Sequence, residues 1–143
     1  VSLAKLNNDQ LHAYAAYCAA AEAVLRTRLS VRVVDEGRRY RLNVYGKLVQ
    51  VFSKRSTEWQ LTGAPSPLVS NTVAVVFVDF AGKEPEFYVV PARTLKEDVD
   101  RRYQADLVRK GERAPIMGSH HYLVKPEHLE QWQGKWSVLG GKG

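Results

Sequence analysis

Gln50 sits in the run Leu48-Val49-Gln50-Val51-Phe52, one polar side chain among four apolar ones. On an extended strand alternate residues face opposite sides, so Val49 and Val51 share one face while Gln50, Phe52 and Lys54 share the other. The amide therefore has a fixed direction: it is either an edge-strand group wetted by solvent or a polar group aimed into a cleft. Around it lies charge of one sign. Between Arg26 and Arg55 the chain carries Arg26, Arg28, Arg32, Arg38, Arg39, Arg41, Lys47, Lys54 and Arg55 against Asp35 and Glu36 alone, a local +7 in a chain whose net charge is +6. A field of that size suits phosphate groups, whose binding is driven by release of their counterions. Tyr40, Tyr45 and Trp59 accompany the segment, with rings suited to stacking on bases or to pairing across strands.

Other chemistry-bearing residues give weaker patterns. His120 and His121 are adjacent, so on a strand they face opposite sides, and with His128 they lack the cysteine pair or HxxxH spacing of a zinc site. Gly46-Lys47 is a turn and not a phosphate loop, because no glycine-rich run or following helix accompanies it. Ser53, Ser56 and Thr57 lack the base that a nucleophilic hydrolase needs. The lone Cys18 cannot form an internal bridge; among alanines it reads as a small buried apolar residue, in keeping with a reducing cytoplasm.

These residues must be held by elements that the hydrophobic pattern outlines. Residues 3 to 29 read as an alanine-rich helix capped by Asn7 or Asn8, with Leu11, Tyr14, Cys18, Ala21 and Leu25 as its buried stripe and Glu22 beside it. A short strand at 31–34 and a tight turn at 35–37 lead into a hairpin, Tyr40 to Tyr45 and Leu48 to Phe52, joined at Gly46-Lys47. Residues 61 to 71, with Gly63, Pro65 and Pro67, form a loop. The valine-rich run 73–80 lacks alternation and predicts a strand covered on both faces at the centre of the sheet. A strand at 86–90 pairs back on it, and Pro91 precedes a second helix over 94–110 that ends at Gly111. A strand at 120–124, a short helix at 127–132 and a tail anchored by Trp136 and Leu139 complete the chain, with 140–143 fraying. Helical runs between strands imply crossovers, so the expected fold is a single α/β domain over residues 1–143, with a mixed central β-sheet flanked by helices.

Size and composition agree with that fold. At 143 residues the chain buries a core without disulfide or metal staples, and 45% hydrophobic with 25% charged residues is ordinary for a globular protein. Nothing in the sequence reads as a membrane span or a signal peptide, so a soluble, cytoplasmic protein is expected.

Several phrases of the chain carry a resemblance: Val49-Gln50-Val51 followed by a basic, serine-containing turn and Trp59-Gln60, then Val75 to Val78, then Pro85-Glu86-Phe87-Tyr88-Val89-Val90-Pro91. Over about residues 8 to 136 the sequence resembles the PD-(D/E)XK nuclease superfamily, with its restriction-endonuclease-like fold, and within it the small intron-type endonucleases. The resemblance implies a site in which carboxylates hold Mg²⁺ by oxygen ligands, the ion activates a water against a phosphodiester, and a lysine orients that water. Gln50 matches the glutamine position, Glu22 matches a helical acid, and Lys54 is a lysine displaced along the strand. Two positions depart from the pattern: Arg41, Leu42 and Asn43 stand where the aspartate is expected, and Phe52 stands where the lysine is expected. A cation in place of a metal-binding carboxylate repels Mg²⁺.

The resemblance thus implies a nuclease-like fold that keeps a nucleic-acid surface and has lost metal-dependent hydrolysis. Its partner would be nucleic acid, DNA first, held by Arg38, Arg39, Arg41, Lys47, Lys54 and Arg55, with no cofactor and no membrane, and with a homodimer as the expected assembly. Two alternatives stand beside it. One is an active Mg²⁺-dependent endonuclease with a rearranged site of Glu22, Gln50 and Lys54. The other is an interaction module whose former active-site cleft, lined by Phe52 and Arg41, receives a protein partner.

Overall fold

The structure is a computed structural model that describes the backbone of residues 2–36, 39–62, 68–110 and 121–140; within these, the side chains at 36, 39, 62, 103, 106, 107, 110, 121 and 122 are not described. Asp35 and Glu36, expected to turn together with Gly37, instead extend the first strand, while Gly37 itself, the helix stop at Gly111 and the fraying of 141–143 fall outside the described residues.

A 3-10 turn at Leu3–Lys5 precedes helix α1, Asn8–Thr27. Asn7 opens α1 with a capping box: its side chain accepts from the Gln10 N–H at 2.8 Å, and Gln10 accepts in return from the Asn7 N–H at 3.0 Å. The strands are β1 Val31–Glu36, β2 Arg39–Val44, β3 Lys47–Lys54, β4 Trp59–Thr62, β5 Thr72–Asp79 and β6 Glu86–Pro91; then come helix α2, Ala92–Lys110, and strand β7, His121–Val124. Five strands form the main sheet in the order β1-β2-β3-β5-β6. Its pairs are antiparallel except β3 with β5, so the sheet is mixed. The α/β architecture with a mixed sheet and a helix on each face is as the sequence predicts.

Alternation along the strands divides the core in two. Val49, Val76, Val78 and Val89 pack with Leu11, Ala15, Ala19 and Ala23 of α1 and with Trp136 and Leu139 of the tail. Val75, Phe77, Tyr88 and Val90 pack on the other face with Leu95 and Val99 of α2 and with Trp59, Leu61 and Val124. Full burial of each such valine or leucine contributes about 1.5–3 kcal/mol, so the run 74–78 of β5, covered on both faces, is the most stabilising stretch of the sheet.

Three further expectations are corrected. The face of α1 that meets the sheet is the alanine face: Ala15, Ala16, Ala19 and Ala23 are fully buried beside Leu11, whereas Tyr14 and Leu25 of the expected stripe are 44% and 69% exposed, Ala21 is exposed and Cys18 is half-buried. Small side chains let a helix lie close to a sheet, and that gain outweighs burying the larger residues of the predicted stripe. Within the expected loop at 61–71, β4 already occupies Trp59–Thr62 and pairs with β7 in a separate two-stranded sheet, so the parallel crossover from β3 to β5 runs through a strand and not a helix. The short helix expected at 127–132 is two 3-10 turns, Pro126–His128 and Glu130–Trp132. No helix among the described residues is long and apolar enough to cross a membrane.

Candidate functional site

The side of β3 turned away from α1 carries Gln50, Phe52 and Lys54, as the alternation predicts. Gln50 is 8% exposed, and its Oε1 accepts from the Val69 N–H at 2.7 Å and from the Thr72 hydroxyl at 2.7 Å. A backbone N–H can only donate, so the amide oxygen is the atom on that side, and it is engaged in tying residues 69–72 to the sheet. The residue is neither a solvated edge group nor an open cleft ligand. Arg41 stands directly across from it in the β2–β3 register and is half-buried. Phe52 stacks on Phe77 of the neighbouring strand, with ring centroids 5.6 Å apart.

Lys54 is further committed. Its Nζ lies 2.7 Å from Oδ1 of Asp79, which the parallel register places opposite it on β5, and also donates to the Ser56 carbonyl at 2.8 Å. The ammonium sits 4.8 Å from the Trp59 ring centre, a cation–π contact. Asp79 Oδ1 accepts in addition from the Ala81 N–H at 2.9 Å. With side-chain exposures of 3% and 11%, the pair is a satisfied internal ion pair, not a pair of free groups. It forms the floor of an open cleft of about 710 Å³ walled by Arg55, Thr57, Glu58, Lys125 and Glu127.

Glu22 does not join these residues. It lies on α1, which covers the Val49 face of the sheet, and it pairs with Arg26 one turn on at 3.2 Å, whereas Gln50 and Lys54 project from the opposite face. The predicted trio is thus split by the sheet, and among the described residues no three His, Cys, Asp or Glu side chains are grouped to hold a metal ion. On the α1 side, His12 Nδ1 is in hydrogen-bond contact with the Ser53 hydroxyl, so Ser53, expected to lack a base, has an imidazole beside it. Burial holds the His12 imidazole below its ordinary value of 6.5, against a smaller opposing pull from Asp9.

The basic segment is sorted by the fold into two ends. Arg26 and Arg28 close α1, Arg32 opens β1 and Lys47 opens β3; Arg28, Arg32 and Lys47 are exposed at the end of the sheet where the β2–β3 hairpin turns. Lys54 and Arg55 lie at the far end, where Arg55 is exposed and donates to the Leu3 carbonyl at 2.8 Å. Arg41 lies between. Arg38 and the side chain of Arg39 are outside the described residues. Of the three aromatic candidates, Trp59 is core: it is 1% exposed and its indole donates to the Val78 carbonyl at 3.1 Å.

Tyr45 is the opposite case, at 73% exposure. It occupies the tip of the hairpin with φ +50°, followed by Gly46 at φ +85°, the primed turn that suits the twist of two antiparallel strands. A left-handed backbone costs a side chain with a Cβ about 1–2 kcal/mol, which is why Asn or Gly usually takes this place. The Tyr45 N–H donates to the Ser30 carbonyl at 2.8 Å, and Asn43 Oδ1 accepts from the Gly46 N–H at 2.8 Å, so the turn is fastened on both sides. The sequence reading missed this constraint and the Lys54–Asp79 pair. A two-residue loop of Tyr45-Gly46, with Val44 paired to Lys47, was the available signal for the first; counting a parallel register from β3 to β5 was the signal for the second. The chain matches no family model, no curated protein and no solved structure in comparisons with known proteins.

Proposed function

We propose that this protein is a nucleic-acid-binding domain, in keeping with its resemblance to the nuclease superfamily, and that it does not hydrolyse the phosphodiester. The observation that carries this reading is the uniform sign of charge on the hairpin. From Gly37 to Thr57 the sequence holds no acidic residue, and Arg28, Arg32, Lys47 and Arg55 around it stand exposed to solvent. Neighbouring cations without interleaved carboxylates bind phosphates in preference to one another's side chains. The absence of hydrolysis is supported by the chemistry of the polar centre. The oxygen of Gln50 is engaged by Val69 and Thr72, Lys54 neutralises Asp79, and Arg41 stands beside Gln50 where a metal ion would meet its charge.

Filter binding of duplex DNA across a salt series tests the first half. The expected result is a linear fall of log K with log salt, with a slope of about −0.9 for each phosphate contact. No binding at low salt, or affinity indifferent to salt, overturns the reading. Plasmid nicking with Mg²⁺ or Mn²⁺ tests the second half: an intact supercoiled substrate is expected, and cleavage by the unchanged protein shows that a metal site assembles after all.

A further inference from the structure

We infer that the hairpin tip is a binding site for an unpaired base of single-stranded nucleic acid, with Tyr45 as the stacking platform and Arg28 and Lys47 as its phosphate contacts; this rests on the nucleic-acid reading above and names the strand form and the place.

The Tyr45 side chain makes no hydrogen bond with any other of the described residues. Its side chain is 73% exposed, and its ring meets none of the other aromatic rings among the described residues. The backbone beneath it is left-handed, a conformation that asparagine or glycine adopts at less cost. A large ring held in that place, by two fastened hydrogen bonds and facing water, is a strained feature without an internal beneficiary. Arg28 repeats the pattern. It caps α1 with φ +61°, where glycine is the usual choice, and is likewise exposed. The two positions adjoin, because the Tyr45 N–H bonds to the carbonyl of Ser30, two residues beyond Arg28. Lys47 lies across from Val44, on the face of the sheet that α1 covers, and so stands on the same side as Arg28, whereas Arg32, across from Asn43, projects from the opposite face.

The chemistry of this arrangement selects its ligand. A face-exposed aromatic ring stacks on a nucleobase only when that base is out of a duplex, and the surrounding cations follow a backbone without reading sequence. A duplex presents phosphates to the same cations but no base face to the ring. Single strands, overhangs and splayed junctions share the required chemistry.

Fluorescence anisotropy with a labelled oligothymidylate and with a duplex of equal length separates the terms. Tyr45→Asn suits the left-handed turn, so the hairpin is kept while the ring is lost; Tyr45→Phe keeps the ring. The expected result is a fall of about 5- to 150-fold in single-strand affinity for Tyr45→Asn, with the salt slope and the duplex affinity unchanged, and binding near that of the unchanged protein for Tyr45→Phe. Lys47→Gln should weaken both substrates and flatten the salt slope by about one contact. Single-strand affinity unaltered by Tyr45→Asn, or duplex affinity lowered as much, overturns this inference while leaving the proposed function intact. If the unchanged protein binds neither substrate at low salt, the proposed function fails and this inference with it.

Discussion

Replacing Lys54 by methionine measures whether the cation nearest the centre of the sheet is structural or is free to act. The ammonium lies 2.7 Å from the Asp79 carboxylate with both side chains nearly closed to water. At an effective dielectric of about 20 that separation corresponds to about 6 kcal/mol of attraction, much of which offsets the cost of desolvating the two ions. Methionine keeps an unbranched apolar stem and removes the charge beside the Trp59 ring, together with the donor to the Ser56 carbonyl. Asp79 is then left with the Ala81 N–H as its described donor. Breaking one side of a buried pair costs about 3–5 kcal/mol, and with a urea m-value of about 2 kcal/mol/M the midpoint falls by about 2 M. Adding Asp79→Asn should recover most of the loss, because the asparagine oxygen still accepts from Ala81 while no charge remains buried. Equilibrium urea unfolding followed by tryptophan fluorescence reads both variants. If Lys54→Met unfolds within about 0.5 kcal/mol of the unchanged protein, as an exposed residue does, the ammonium is a solvated group, and Lys54 returns as a phosphate ligand or catalytic lysine. On the geometry described here, the variant that remains folded binds nucleic acid as the unchanged protein does.

Two further outcomes follow from the interior polar groups. Gln50→Leu removes the acceptor of the Val69 N–H and should cost about 1–3 kcal/mol in urea unfolding, whereas Gln50→Glu retains an oxygen there beside Arg41 and should cost less than half as much; equal losses contradict a structural hydrogen-bonding role. His12 binds a proton less tightly in the folded state than in the unfolded chain, because burial disfavours the imidazolium. Its contribution to stability is therefore fully present above pH 6.5 and is lost as pH falls through the lower folded value. Unfolding free energies measured between pH 7.5 and 5 should decline, and His12→Gln should flatten that decline; an identical slope in the variant rules out His12 as its source.

The sequence made the strand order of the hairpin, the doubly covered β5 and the two flanking helices legible, since each rests on local alternation or on a run of valines longer than any loop tolerates. The buried face of α1 was misjudged for a physical reason. Periodicity alone did not distinguish the stripe of Tyr14, Cys18 and Leu25 from that of Ala15, Ala19 and Ala23, and the sheet selects the smaller side chains for close approach. In the same way, β4 escaped notice because four residues ending at Thr62 have little local preference and are fixed by β7, some sixty positions later. The face of Gln50 and Lys54 was legible from strand alternation, but their partners were not. Val69, Thr72 and Asp79 reach them only through the parallel pairing of β3 with β5, which no short window of sequence contains. Glu22 failed to join for the complementary reason: a helix position is known within its own face, while the side of the sheet on which the helix lands is a tertiary choice.

The pairing of β4 with β7 also orders events during synthesis. Trp59 and Leu61 emerge from the ribosome some sixty residues ahead of the strand beside them and of the apolar residues Val124 and Leu129 that help to enclose them. Residues 8–54 can assemble α1 and the β1–β3 meander from near-neighbour contacts, but the opposite flank stays open until residues 121–129 arrive. A nascent chain stalled before residue 121 presents an unsealed aromatic surface, which makes it a substrate for chaperones and a seed for aggregation.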